Sequence, residues 1–139
     1  MKRVLICVLL LCTFILMGCQ KKENNIEGVP DCVNSISTNE DMYLKVVANR
    51  ETIEDKAEFA WEIIKMCQEN TFKTIMFSYD LGGYPTSLDI DVYLWKDDIG
   101  EKDPVMHIEF KPIESLQGYD IVNDADKFEL YVDKIKIES

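Results

Sequence analysis

The stretch RETIEDKAEFAWEIIKMCQE, from Arg50 to Glu69, decides the fold. At about 100° per residue Ile53, Ala57, Ala60, Ile64 and Cys67 form one stripe, flanked by Phe59, Ile63 and Met66 on one side and by Trp61 on the other. Glu51, Glu54, Asp55, Glu58, Glu62, Lys65 and Glu69 gather on the opposite face. The spacing predicts an amphipathic helix over 50–69. Asn49 or Thr52 can cap it, and Glu51, Glu54 and Asp55 put negative charge in its first turn, where the helix dipole favours it. An apolar arc covering roughly half the helix needs a broad partner, and a curved sheet is the natural one.

The flanking segments supply that sheet. Met42 to Ala48 alternates, with Met42, Leu44, Val46 and Ala48 on one face. Asn70 ends the helix, and Thr71 to Tyr79 reads as a strand with Ile75, Phe77 and Tyr79 inward. The segment 80–87 carries Gly82, Gly83 and Pro85 and reads as a hairpin loop. Leu88 to Trp95 follows with Leu88, Ile90, Val92 and Leu94 inward and Asp89, Asp91, Tyr93 and Trp95 outward. After a turn over 96–104, Val105 to Lys111 points Met106, Ile108 and Phe110 inward and His107, Glu109 and Lys111 outward, and Pro112 stops it. Tyr119 to Val122 is a candidate short edge strand, and Lys127 to Val132 a last strand. At Asp133-Lys134 the alternation slips onto Ile135 and Ile137, which implies a bulge or a tight turn. The expected fold is α+β: one N-terminal helix packed on an antiparallel meander sheet of four to five strands, in the order β-α-β-β-β-β. This element order resembles the cystatin-type arrangement. No Q-x-V-x-G loop occurs, so that family's inhibitory activity does not follow from the resemblance.

The chain opens with Lys2 and Arg3, followed by a fourteen-residue apolar run from Val4 to Met17 broken only by Thr13. That is the length of a signal-peptide core, whereas a membrane-spanning helix takes about 20 apolar residues. The run closes on Leu16-Met17-Gly18-Cys19, which resembles the lipobox of bacterial lipoproteins; the one departure is Met17, larger than the residue usual before the Gly. The resemblance implies a diacylglyceryl group on the Cys19 thioether, cleavage before Cys19, and a protein held on the extracytoplasmic face of the cell membrane. More than one acyl chain is needed for firm anchoring, since burial contributes about 0.8 kcal/mol per CH₂. Residues 1–18 are then the signal peptide, 19–41 the lipidated N-terminus and a flexible tether, and 42–139 a single domain.

Without residues 1–18 the 139-residue chain keeps 13 of its 15 basic residues and all 26 acidic ones, a formal charge of −13. Such a surface repels nucleic acid and anionic headgroups and leaves basic surfaces and cations as partners. Cys7 and Cys12 leave with the signal and Cys19 is committed to lipid, so Cys32 and Cys67 remain. In an exported domain they form a candidate disulfide; alternatively Cys67, on the buried face of the helix, stays a free thiol that packs as a small apolar residue. No C-x-x-C occurs, which disfavours thiol redox chemistry and zinc bound by cysteine.

The catalytic inventory is thin, and no catalytic residue, cofactor or metal site is assigned. His107 is the single histidine and has no G-x-S-x-G or reactive-Cys signature near it. Asp89 and Asp91 share a strand face that Glu109 could join, a set able to hold a hard cation or act as an acid and base pair, but more often a solvated face. Asp120, Asn123, Asp124 and Asp126 lack the Gly and Glu of a calcium loop in any register. Tyr84 on a Gly-Pro loop, with Tyr93 and Trp95 on an outward strand face, is the candidate interaction surface, because aromatics are enriched at interfaces. The sequence therefore reads as a non-enzymatic lipoprotein that binds or assists another extracytoplasmic protein, the alternatives being a carrier of a small ligand or cation, or a carboxylate-dependent hydrolase.

Overall fold

A computed structural model describes residues 27–114 and 118–138. The elements run β1 (Asp31–Thr38), β2 (Asp41–Val47), α1 (Lys56–Glu69), a one-turn α2 (Tyr79–Gly82), β3 (Ser87–Tyr93), β4 (Met106–Pro112), β5 (Phe128–Val132) and β6 (Ile135–Ile137). The signal segment, Cys19 and the first part of the tether lie outside the described residues. No helix among the described residues is long and apolar enough to cross a membrane.

The fold is α+β: one main helix on a single mixed sheet of six strands, ordered β1 to β6 as they occur in the chain. The sheet differs from the expected meander in three ways. It begins at Asp31 rather than Met42, because residues read as tether form β1 and pair antiparallel with β2. The two strands join through Asn39 and Glu40, both at positive φ (50° and 74°), the geometry that suits a two-residue hairpin. Next, β2 and β3 are parallel, with Met42 beside Leu88 and Val46 beside Val92, so α1 serves as a crossover connection. Finally, the slip at Asp133-Lys134 is a tight turn, not a bulge: both residues have positive φ (49° and 69°), and β6 folds back on β5.

The parallel pairing explains why Thr71 to Tyr79 is not a strand. A chain returning from α1 to the start of β3 must run back along the sheet without joining it, and it does so as an irregular segment that buries Phe72 and Phe77. Segment 80–87 is accordingly no hairpin loop; it holds α2 and leads into β3. Asp31, itself buried, fastens the returning segment. Its carboxylate accepts from the N–H groups of Lys73 and Thr74 at 2.9 and 3.1 Å and from the Thr74 hydroxyl. Tyr119 to Val122 is likewise a turn, not an edge strand. Ile121 is fully buried, its N–H donates to the Pro85 carbonyl, and its own carbonyl accepts from Gln68 Nε2.

Helix α1 starts at Lys56, later than expected. Asn49 sits in the left-handed region (φ 55°), where it cannot cap, and the Asp55 carboxylate accepts from Glu58 N–H instead. Phe59, Ala60, Ile63, Ile64 and Cys67 are buried against the sheet. The facing layer is Met42, Leu44 and Val46 from β2, Leu88, Ile90 and Val92 from β3, Met106, Ile108 and Phe110 from β4, and Phe128, Leu130 and Val132 from β5. Each large side chain so buried contributes about 1.5–3 kcal/mol. The helix covers one face of the sheet, and the antiparallel edge strands leave the other face in contact with solvent.

Candidate functional site: the uncovered sheet face

Period-two alternation sends the residues between the core positions to the uncovered face, and the register lines them up in rows. One row crosses all six strands: Ile36, Tyr43, Asp89, Glu109, Tyr131 and Lys136. The next holds Asn34, Lys45, Asp91 and His107. At the β1–β2 edge the face is apolar, with Ile36 60% and Tyr43 46% exposed on adjacent strands.

Its centre is a cluster of charged groups. His107 Nδ1 lies 2.9 Å from Asp91 Oδ1 and its Nε2 lies 3.5 Å from Asp89 Oδ1. Desolvation raises the Asp89 carboxyl above its ordinary range; His107 and Lys111 oppose the shift, and Asp91 and Glu109 add to it. The backbone beneath is fixed by Asp133, which accepts from His107 N–H at 2.9 Å and from Lys56 Nζ at 2.6 Å. Toward β6, Glu129 accepts from Lys136 at 2.6 Å and from the Tyr131 hydroxyl at 2.7 Å, which holds its carboxyl below the usual range. Lys111 closes this side, with Glu109 at 3.3 Å and the Tyr131 ring centroid at 4.5 Å.

The structure thus brings together Asp89, Asp91 and Glu109, the set anticipated on one face, and adds His107, which the sequence places on the outward face beside Glu109 without assigning it a role. The signal that could have found it is the register: once β3 and β4 pair, His107 must face Asp91. The three aromatics of the candidate interaction surface are not brought together. Tyr93 is only 6% exposed. It lies beside Val47 in the parallel pair, and burial, then the carboxylates of Asp91 and Asp103 nearby, push its phenol upward. Tyr84 and Trp95 are 37% and 36% exposed, but all seven residues of β3 separate them, about 23 Å of strand. Tyr84 packs edge-on against Tyr79 at 5.1 Å.

Cys32 and Cys67 are free thiols buried in the same core cluster. Cys32 Sγ donates to the Asn34 carbonyl at 3.3 Å, and burial pushes its thiol up to about 12. Burial, with Cys32 close by, raises Cys67 well above its ordinary value. In the loop read as weakly calcium-like, the Asp120 carboxylate is engaged by its own turn: Val122 N–H, Asn123 N–H and Asn123 Nδ2 donate to it at 2.9, 2.7 and 2.8 Å. No protein-family model, curated protein or solved structure matches the chain.

Proposed function

We propose that this chain is a lipid-anchored extracytoplasmic protein whose α+β domain acts as a binding or accessory module for another extracytoplasmic protein. The anchor rests on the charged start, the apolar run and Leu16-Met17-Gly18-Cys19, which together resemble a lipoprotein signal. The binding role rests on one observation: the sheet face opposite α1 exposes Ile36 and Tyr43 side by side, bordered by Asp89, Asp91 and Glu109. Exposed aromatics beside charge are typical of interface hot spots and their rims. Without residues 1–18, the 13 basic residues against 26 acidic ones give a formal charge of −13, so the complementary partner is a basic protein surface rather than nucleic acid.

The test is crosslinking in living cells from a photoreactive group at Tyr43, with the same group at Glu54, on the helix side of the molecule, as control. One adduct specific to position 43, lost with Ile36→Ser, supports the reading. Equal labelling from both positions sinks it. The anchor is tested separately: Cys19→Ala releases the protein from membranes and alters its gel mobility, and unchanged partitioning removes the lipid. A second reading, cation binding, is favoured by the proximity of Asp89, His107 and Glu109.

A further inference from the structure

Antiparallel register sets Asp89 opposite Glu109 and Asp91 opposite His107. A carboxylate oxygen of Asp89, a ring nitrogen of His107 and a carboxylate oxygen of Glu109 all lie within 4.8 Å of one another. Carboxylates alone on a sheet face are ordinarily just solvated. The orientation of the imidazole sets this group apart. Asp91 lies 2.9 Å from Nδ1, the position of the carboxylate partner found at metal-ligating histidines, and this turns Nε2 toward Asp89. Nε2 lies 3.5 Å from Asp89 Oδ1.

A cation placed between Nε2 and Asp89 Oδ1 would be bound by both. Two ligand atoms at 2.0–2.1 Å from a tetrahedral metal are about 3.3 Å apart, close to the observed separation. One imidazole nitrogen with two carboxylates suits a first-row transition ion better than calcium or magnesium, which take oxygen ligands. All three residues are half-buried, so a fourth position remains open to water or to a donor from a bound molecule.

We propose that Asp89, His107 and Glu109 form a binding site for a divalent first-row transition metal, with Asp91 as the positioning residue that orients His107. The site rests on the cation-binding reading, which it makes specific, and does not depend on the partner surface at Ile36 and Tyr43. The competing arrangement is an imidazolium donating to both aspartates, which needs no metal.

Zinc is the probe, added to the full chain in neutral detergent after accessible thiols have been alkylated. Equilibrium dialysis is expected to show saturable binding of one zinc per chain at micromolar concentration. His107→Ala and Glu109→Gln are expected to weaken it at least tenfold, and Asp91→Asn by about ten- to a hundredfold. Asp126→Asn, on an exposed carboxylate elsewhere, should leave it unchanged. Because the chain has a single histidine, its ¹⁵N ring signals report on His107 alone and require no variant. Zinc should move Nε2 to a metal-bound shift while Nδ1 keeps its proton. A ring that stays doubly protonated at saturating zinc overturns the proposal, as does undiminished binding in His107→Ala. Ile36→Ser, which probes the partner surface, should not alter zinc binding, so the two readings fail separately.

Discussion

Asn70 decides how the chain leaves α1. It adopts φ 55° and ψ 50°, which asparagine tolerates better than most residues. Its amide then pairs with both backbone groups of Phe77, donating to the carbonyl at 2.9 Å and accepting from the N–H at 2.8 Å. Asn70→Gly keeps the left-handed turn but loses both bonds, so it should cost about 1–2 kcal/mol, and Asn70→Ala should cost about 1 kcal/mol more through strain. Urea midpoints separate the two, and wild-type stability in the Gly variant would mean that the amide bonds contribute nothing. The helix end at Asn70 was legible from the sequence; the partnership with Phe77 was not, and the alternation of Ile75, Phe77 and Tyr79 imitated a strand. Asp120 supports a prediction in pH. Desolvation pushes its carboxyl up, but the donors of Asn123 and Val122 outweigh it and the net shift is downward. A carboxyl depressed in the folded state adds stability above its unfolded value near about 4, and that stability is lost as pH falls through the folded value. Asp120→Ala should therefore cost about 1 kcal/mol at neutral pH, since solvent screens this partly exposed turn, and progressively less as pH falls below about 4. A cost independent of pH would show that the charged form is not what the turn holds.

Among the elements, α1 was the most legible and β1 the least. The stripe of Ala60, Ile64 and Cys67, with Phe59 and Ile63 beside it, is the face that the sheet covers. The start was misplaced because Asn49 and Thr52 are good capping residues by type, whereas the left-handed backbone at Asn49 delays the helix until Asp55. Trp61 marks the edge of the stripe: it touches Phe110 edge-on at 6.2 Å but remains 37% exposed. Ile63→Ala should cost about 2–5 kcal/mol, because a fully buried side chain leaves a cavity between two rigid layers. Trp61→Ala should cost clearly less, and a larger loss at Trp61 than at Ile63 would mean that the sheet grips the helix by its edge. Strand β1 escaped notice for a different reason. It is an edge strand whose only residue in the main core is Cys32, and its pairing with β2 shifts register between Cys32 and Asn34. With one core residue and a bulge, no alternation survives to be read. The outward faces of β3 and β4 were correct at Asp89, Asp91 and Glu109, because central strands show their pattern plainly. The same pattern put Tyr93 outward too, but burial at the strand end depends on neighbouring chain that alternation does not report.

At the scale of the whole molecule, the position of β1 makes the domain's true start a measurable quantity. Cys32 lies in the core, Asp31 holds the segment returning from α1, and β1 covers the edge of β2. Just ahead of β1, Gly28 N–H donates to the Asn49 carbonyl at 2.6 Å, and Asn49 Nδ2 donates to the Val29 carbonyl at 2.7 Å. Residues 28–38 therefore tie together β2, the loop before α1 and the loop after it. A chain beginning at Gly28 should unfold in urea as one cooperative unit, with Trp fluorescence and far-ultraviolet circular dichroism giving the same midpoint. A chain beginning at Met42 loses the edge strand, one core residue and the buried carboxylate together. It should bind a hydrophobic dye and lose its cooperative transition, because the bare edge of β2 and the opened core expose apolar surface. If the Met42 chain unfolded as cooperatively as the Gly28 chain, β1 would be an accessory strand rather than part of the folding unit. The same comparison bears on the binding surface, since Ile36 lies on β1 and Tyr43 on β2. Removing β1 takes away half of the apolar patch while Asp89, His107 and Glu109 remain on β3 and β4.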